Sequence, residues 1–315
     1  SRLSQMPDVK LVAFCDILKD KAQDLASKHG GTAYDDFHQM INHEPLDIVY
    51  ICIPPFAHTD EVQAAAENGM HIFIEKPIAL KTDLGQDMVR AVRKAGVKSQ
   101  VGYLLRFGAG VERAKELIDS GKAGDVSVVQ GRYFCNFIGG AWWRDKKKSG
   151  GQLVEQSTHL YDIVRYLCGD VERVYTEMAK RFWVEASDMT SEDTSSTTLR
   201  FKSGAIGSLA ASTGAYSGDR WEAGWIIATK NLTFVFENAN SLTIHSTTAP
   251  SVVESVSSPQ RDMFKLESRD LFSCIRSGNE TRTPIEEGLK TLELTLAAVK
   301  SAEGGQVVRL PLSED

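Results

Sequence analysis

Two separated residues have the side chains that an acid–base reaction at an alcohol needs. Lys76 lies in the tripeptide Glu75-Lys76-Pro77, and His159 lies in a segment with helical spacing. Pro77 biases the residue before it toward an extended conformation, so we expect a strand to end here with Lys76 at its carboxyl edge. A lysine at that edge can hold a substrate hydroxyl and stabilise negative charge on its oxygen. A solvated lysine at a strand end is the plainer alternative.

The segment around His159 predicts one helix with a polar face. At about 100° per residue, four polar side chains share a sector of roughly 60°: Glu155, His159, Asp162 and Tyr166. A carboxylate one turn before His159 would favour the cationic imidazole, which suits a general base for alcohol oxidation. The alternative is an ordinary carboxylate–histidine pair on a helix surface. The preceding Gly150 and Gly151 permit a tight entry into this helix.

The elements that must position these residues change character along the chain. In the first part, short apolar strands alternate with helices; the strands are expected at 9–15, 48–53, 71–75 and 99–105. This alternation predicts a doubly wound parallel sheet, covered on both faces. Further along, strand follows strand, at 126–134, 172–182, 196–201, 205–213, 225–230, 232–236 and 241–246. An α+β domain with a large, mainly antiparallel open sheet is expected there. We place the boundary so that the domains are 1–122 and 123–315.

Asp16, directly after the first apolar run, suits a dinucleotide ribose. In Rossmann-type folds a glycine fingerprint follows the first strand, and an acidic residue about 20 positions later binds the ribose. Counting back from Asp16 puts that fingerprint before Ser1, so we expect a fragment that lacks its first strand and phosphate loop, with a cleft and weaker cofactor binding as results. Taken alone, Asp16 would be a helix cap.

Composition excludes several classes of partner. The 315 residues carry a formal net charge of -6 with mixed signs, which argues against nucleic acid. The short basic run at 146–148 is expected to be a solvated loop or the rim of an anion site. No apolar run reaches membrane-spanning length and no signal peptide is evident, so we expect a cytoplasmic protein. Five scattered cysteines indicate reduced thiols and no metal site.

A set of ordered motifs resembles the Gfo/Idh/MocA oxidoreductase family across nearly the whole chain. The motifs are CD (15–16), IPPFAH (53–58), EKP (75–77), VGYLLRF (101–107), WWR (142–144) and GGQLVEQSTHLYDIVRYLCG (150–169). The resemblance implies an N-terminal Rossmann domain and a C-terminal domain whose sheet forms a homodimer or homotetramer. It also implies oxidation or reduction of sugars and cyclitols with NAD(P).

The resemblance assigns site residues by position. The catalytic residues would be Lys76 and His159, with Glu155 standing where the family has an aspartate. Cofactor contacts would come from Asp16, Pro54, Pro55, His58, Glu75, Lys76, Arg106, Trp143 and Arg144. Substrate contacts would come from Lys76, Arg144, Glu155 and His159. Each has a plainer alternative: the prolines end a strand, and Arg106 joins an ion pair. The negative charge of Asp16 favours NAD, although Lys19 nearby leaves NADP possible.

These observations predict reversible hydride transfer between nicotinamide and a secondary alcohol carbon of a sugar, sugar derivative or inositol. A catalytically silent sugar or dinucleotide sensor of the same fold is the alternative from another class. A hydrolase that uses Glu155 with Asp162 is weaker, because it leaves the Rossmann half unexplained.

Overall fold

The computed structural model describes residues 2–218, 220–248 and 252–312. Its first part contains five short strands: β1 (Ala13–Cys15), β2 (Thr32–Tyr34), β3 (Ile48–Ile51), β4 (His71–Ile74) and β5 (Ser99–Val101). Five helices lie between and after them: α1 (Lys19–His29), α2 (Phe37–His43), α3 (Glu61–Glu67), α4 (Thr82–Ala95) and α5 (Ala109–Asp119). All strand pairs in this part are parallel, as predicted.

The first five strands form two separate sheets rather than one. β1 pairs with β2, and β3, β4 and β5 pair in that order. Within the described residues no strand joins β1 to β3, and a groove of about 900 Å³ lies between them, lined by residues of both. The predicted cleft is present at this position. Its effect on cofactor affinity stays a prediction.

The second part is built on a nine-stranded sheet. Its strands are β6 (Val126–Cys135), β7 (Val171–Ala179), β8 (Thr194–Phe201), β9 (Ile206–Ser212), β10 (Trp221–Thr229), β11 (Leu232–Asn238), β12 (Ser241–Ser246), β13 (Val252–Ser257) and β14 (Val308–Arg309). The spatial order is β13-β12-β11-β10-β6-β9-β8-β7-β14. Among the described strands of this sheet only the β6–β9 pair is parallel, so the sheet is mainly antiparallel, as predicted.

Four helices connect β6 to β7, and two long helices follow β13. The connecting helices are α6 (Ala141–Arg144), α7 (Lys146–Ser149), α8 (Gln152–Glu155) and α9 (Thr158–Cys168); the later ones are α10 (Met263–Ser277) and α11 (Ile285–Gly304). α9 packs on β6 and α11 on β7, so both cover one face of the large sheet. No helix in the described part of the chain is long and apolar enough to cross a membrane. The cytoplasmic location stays a prediction.

α10 and α11 also return to the first sheet. Leu271 and Phe272 of α10 share an apolar cluster with Phe73 of β4, and Ile285 and Leu292 of α11 belong to the core beneath β3, β4 and β5. The two halves therefore share core residues. The domain boundary at residue 122 stays a prediction.

Candidate active site

Lys76 follows the end of β4 and reaches the end of α8. Its Nζ donates to Glu155 Oε1 at 2.8 Å and to the Glu155 carbonyl at 2.6 Å. Both side chains are largely buried, with 15% and 14% exposed. The ammonium therefore has a fixed position at the carboxyl edge of the sheet, where open parallel sheets bind ligands.

Glu155 is held from a second side by Trp143. The indole N–H of this nearly buried tryptophan donates to Glu155 Oε2 at 2.6 Å. Each carboxylate oxygen of Glu155 thus has its own donor, the Lys76 ammonium for one and the Trp143 indole for the other. A carboxylate bound in this way positions the lysine, since moving Lys76 would break a charge-assisted hydrogen bond.

His159 lies on the second residue of α9, beside Tyr103. The two rings meet edge to face with their centroids 6.1 Å apart, and the Tyr103 hydroxyl is 3.1 Å from Thr158 Oγ1. His159 Nδ1 is buried and has no hydrogen-bond partner among the described residues. Burial, together with the positive charge of Lys76, lowers the pKa of His159 to about 3. The imidazole is therefore neutral at physiological pH.

The predicted effect of Glu155 on His159 is wrong. A carboxylate was expected to favour the imidazolium, yet the oxygens of Glu155 bind Lys76 and Trp143. The pKa of His159 moves downward as a result of burial and of the Lys76 charge.

The prediction of a single helix is also wrong, because the helix is interrupted between α8 and α9. The Ser157 hydroxyl donates to the carbonyls of Gln152 and Leu153, at 3.2 and 3.3 Å. A side chain that takes up main-chain carbonyls in this way competes with the regular helix ladder. Glu155 ends one helix and His159 begins the next, so the calculated shared face does not exist. The glycines before α8 do make the tight entry that was predicted, with φ of 81° at Gly150 and 88° at Gly151.

Arg144 borders the same region from the end of α6. Its Nη1 pairs with Asp188 at 2.6 Å, and its carbonyl accepts from the main-chain N–H groups of Thr190 and Ser191. Arg144 Nε is buried without a hydrogen-bond partner among the described residues. This donor remains available to a ligand.

The predicted cofactor residues before Lys76 lie at strand ends. Asp16 follows β1, and its Oδ1 accepts from Leu18 N at 2.8 Å; the N-cap position of α1 is Leu18, so Asp16 is not the cap. Pro54 and Pro55 follow β3 and start a short 3-10 turn. The carboxylate of Glu75 lies against Gly102, where a Cβ would be only 2.7 Å from Glu75 Oε2. Burial raises the pKa of Glu75.

His58 lies just beyond that turn and is buried. Its Nδ1 contacts Glu61 Oε1, while Glu61 Oε2 accepts from the N–H of Thr59 at 2.8 Å. His58 Nε2 is buried and has no hydrogen-bond partner among the described residues. One ring nitrogen is thus fixed by Glu61, and the other is free to bind.

Comparison with known proteins identifies the family. Residues 2–103 match the model of an oxidoreductase family with an NAD-binding Rossmann fold, and residues 111–233 match the GFO/IDH/MocA C-terminal domain. The chain is 30% identical to the scyllo-inositol 2-dehydrogenase (NAD(+)) of Bacillus subtilis, over 98% of this chain and 91% of that protein. The chain belongs to the Gfo/Idh/MocA oxidoreductase family.

Other members resemble the chain over similar lengths. The myo-inositol 2-dehydrogenase of Thermotoga maritima is 27% identical, over 98% of this chain and 93% of that protein. A levoglucosan dehydrogenase solved with NADH and levoglucosan shares the fold, with a TM-score of 0.85 at 22% identity, over 95% of this chain and 90% of that one. The predicted fold class is confirmed, and so is the prediction of an NAD-dependent oxidoreductase of the Gfo/Idh/MocA family.

In this Gfo/Idh/MocA site, the predicted contact of Arg106 with the cofactor is wrong. Its guanidinium is 1% exposed and binds both oxygens of Asp162, at 2.9 and 2.6 Å. It also donates to the Arg282 carbonyl at 3.0 Å and to Glu287 at 3.2 Å. A guanidinium enclosed by these partners is part of an internal ion-pair cluster, so the structure contradicts a direct cofactor contact. The plainer ion-pair alternative was the better one, although the pair is buried.

Asp162 and Tyr166 belong to the same cluster rather than to a polar row facing a cleft. Asp162 is fully buried and also accepts from Thr291 of α11 at 3.1 Å. The ring of Tyr166 lies under the Arg106 guanidinium at 4.5 Å. Neither residue is placed to act on a substrate.

Tyr103 is the site residue that the sequence reasoning missed. It follows β5 and contacts both of the first two residues of α9, Thr158 and His159. Its position directly after an apolar strand, at the same sheet edge as Lys76, was the available signal. Tyr103 fixes the start of α9 and so the direction of the imidazole.

Proposed function

We propose that this protein transfers a hydride reversibly between nicotinamide and a secondary alcohol carbon of a sugar, sugar derivative or inositol. The proposal rests on one observation above all: the Lys76 ammonium, the Glu155 carboxylate and the start of α9 with His159 meet at one sheet edge. The family and the inositol dehydrogenases among its relatives support the same chemistry. The cofactor, when bound, accepts or returns the hydride.

The side chains divide the proton and charge between them. A neutral His159 accepts the hydroxyl proton when the alcohol becomes a carbonyl, and returns it in the reverse direction. The Lys76 ammonium stabilises the negative charge that develops on the substrate oxygen. Because the same positive charge lowers the pKa of His159, it also lowers that of a bound hydroxyl, which eases removal of the proton. Glu155 positions Lys76 and does not charge the imidazole.

The described residues fit a dinucleotide at its two ends. At the end of β1, the Asp16 carboxylate precedes Ile17, which is 89% exposed. A carboxylate suits the ribose hydroxyls, and an exposed apolar side chain suits the face of a base. At the other end, Glu75, Lys76 and the free ring nitrogen of His58 would hold the nicotinamide half.

The charge near β1 favours NAD over NADP. Burial, together with the negative charges of Asp36, Asp16 and Asp35, raises the pKa of the Cys15 thiol to about 11. Three carboxylates therefore surround the end of β1. Their field would oppose a 2′-phosphate, whose charge is also negative.

Replacement of His159 tests the proposed chemistry. We expect His159→Ala to lower kcat for NAD reduction about 10²- to 10⁴-fold with an active sugar or inositol, because the proton acceptor is lost. The measurement is nicotinamide absorbance across a panel of inositols, hexoses and glycosides. His43→Ala, an exposed histidine on α2, is the matched control and should keep full activity. Binding of both NAD and sugars without any turnover by the unaltered protein would favour the sensor instead.

A further inference from the structure

Four exposed apolar side chains lie in the two segments that contact α6, the one before it and the one after β7. Phe137 is 43% exposed, Ile138 38%, Phe182 54% and Val184 58%. We call these four residues the apolar rim. Large apolar side chains scattered singly on a surface need no explanation, but a group beside a candidate active site indicates contact with a ligand.

Phe137 connects the apolar rim to the catalytic residues through Trp143. The Phe137 ring meets the Trp143 ring edge to face, with centroids 5.2 Å apart and an interplanar angle of 88°. The same Trp143 donates to Glu155, and Glu155 binds Lys76. Phe137 is therefore three contacts from the lysine that would hold the reacting oxygen.

Phe182 joins the rim from the segment after β7. Its ring packs directly on Gly214, where a side chain would collide with it. The neighbouring Thr213 carbonyl accepts from the main-chain N–H of Phe137 at 2.9 Å. The two phenylalanines thus share one stretch of backbone as their support.

The segment that carries Phe182 is fixed at both ends. Asp193 Oδ2 accepts from the main-chain N–H groups of Phe182 and Trp183, at 2.8 and 2.9 Å. At the other end, Thr190 N donates to the Arg144 carbonyl at 2.9 Å, and Asp188 pairs with the Arg144 side chain. A surface held in this way can select a ligand by shape, because little conformational entropy is lost on binding.

Unpaired donors accompany the apolar rim. Trp183 Nε1, between Phe182 and Val184 in sequence, and Arg144 Nε are both buried without hydrogen-bond partners among the described residues. A buried donor without a partner costs free energy unless a ligand supplies an acceptor. Apolar rings beside two such donors match a sugar that carries an apolar substituent, since its oxygens accept hydrogen bonds and the substituent packs on the rings.

We propose that Phe137 and Phe182 select glycosides with an apolar aglycone as substrates. This inference rests on the proposed function, because the reacting alcohol must lie at Lys76 and His159 while the aglycone lies on the rim. An inositol, which carries a hydroxyl on every ring carbon, leaves the rim exposed to water. The rim would then distinguish among alcohols that the catalytic residues treat alike.

The test compares two glycosides that differ only in the aglycone. Methyl and phenyl glucosides of the same anomer have the same oxidisable hydroxyls, so the ratio of their kcat/KM values isolates the substituent. We expect the unaltered protein to prefer the phenyl glucoside by about tenfold or more, from burial of the ring. Phe182→Ala and Phe137→Ala should reduce that ratio to about one, mainly through KM. Phe264→Ala, an exposed phenylalanine on α10 that packs on Arg2, is the control and should keep the ratio.

The other possible results distinguish the role of the apolar rim from the proposed oxidoreductase function. Oxidation of inositols or hexoses but of neither glucoside, or equal kcat/KM for both glucosides, would overturn the role of the rim and leave the proposed function intact. A ratio unchanged in both rim variants would do the same. A fall in assembly mass on light scattering for Phe182→Ala, with the ratio unchanged, would mean that a second copy covers the rim. Absence of turnover with every alcohol, at an NAD concentration that saturates the protein in a direct binding measurement, would refute the proposed function and the role of the rim with it.

Discussion

The state of His159 depends on which partner its neighbour Glu155 takes. In sequence the two residues are one helical turn apart, which indicates a carboxylate–imidazole pair. In the structure Glu155 binds Lys76, 79 positions away in the chain. Because Glu155 binds Lys76, its negative charge does not raise the pKa of His159. The positive charge of Lys76 lowers that pKa, so the imidazole stays neutral. Residue types were predictable here; the pairing was not, because it depends on a contact between distant segments.

The lowered pKa of His159 predicts that kcat/KM is retained at acidic pH. We expect kcat/KM to stay level as the pH falls from 8 to about 5, instead of dropping through the ordinary histidine value of about 6.5. A base whose pKa is lowered to about 3 keeps its neutral form over that range. The measurement is kcat/KM for an active alcohol at saturating NAD across pH 4.5–9.

The same shift has the opposite consequence for stability. The unfolded chain binds a proton at His159 near pH 6.5, whereas the folded chain does not until the pH is far lower, so His159 destabilises the fold increasingly below pH 6.5. His159→Gln should reduce the loss of stability between pH 8 and pH 5, measured by thermal unfolding.

For the activity profile, a fall in kcat/KM centred near pH 6.5 would mean that the pKa of His159 is not lowered by burial and by Lys76.

At the scale of elements, periodicity predicted the strands and long helices well and the short ones poorly. The sequence predicts helices at 19–28, 84–95, 262–275 and 285–302, and α1, α4, α10 and α11 lie within two residues of these bounds, because their apolar stripes are long enough to recognise. β2, with three residues, and α2, with seven, were missed, since so short a segment carries no period. The break at Ser157 was missed for another reason: the helical spacing continues across it, although a serine hydroxyl can bond to main-chain carbonyls and interrupt a helix, as it does here.

The buried pair of Arg106 and Asp162 joins three elements and should dominate local stability. It links the turn after β5 to α9, and Thr291 of α11 adds a hydrogen bond to Asp162. We expect Asp162→Asn to destabilise the protein by about 3–5 kcal/mol, because it leaves the buried guanidinium with only the longer contact to Glu287 as a counter-charge. Urea unfolding followed by circular dichroism measures this.

An exposed aspartate on the same chain serves as the control for that prediction. Asp170 is 43% exposed and pairs with Arg165 and Lys202. Asp170→Asn should cost less than about 1 kcal/mol, because Asp170 is solvated and Arg165 keeps Glu287 as its partner. Comparable losses in the two variants would show that the Arg106 cluster is not a structural centre, and would reopen the question of a cofactor role for Arg106.

At the scale of the whole molecule, the architecture was predictable and the strand order was not. Alternation of strands and helices followed by consecutive strands indicated the two kinds of sheet. The order within the large sheet depends on pairings between distant strands, such as β6 with β9 and β7 with β14, for which the sequence carries no local signal. The groove beside β1 followed from counting positions relative to Asp16, which is a comparison with a known motif rather than a local pattern.

Among the described residues, helices pack on one face of the large sheet, and the other face carries partly exposed apolar side chains among polar ones. Val128, Ile206, Ile226 and Tyr175 are 36–49% exposed. Val128 is opposite Ile206 in the ladder, and alternation along the paired strands places all four on one face. α9 and α11 cover the other face. A flat face of this kind suits a self-complementary contact with a second copy.

Substitution of charged residues on that face should therefore dissociate the oligomer into single chains. We expect the unaltered protein to have the mass of a dimer or tetramer by light scattering, and the double variant Ile206→Asp with Ile226→Asp to have the mass of one chain. Both side chains are already partly exposed, so the substitutions should destabilise the interface far more than the fold. Thermal unfolding of the double variant checks this. Leu25→Asp, on the 44% exposed Leu25 of α1, is the control and should leave the mass unchanged. A single-chain mass for the unaltered protein would refute the assembly, and an unchanged mass in the double variant would place the contact on another surface.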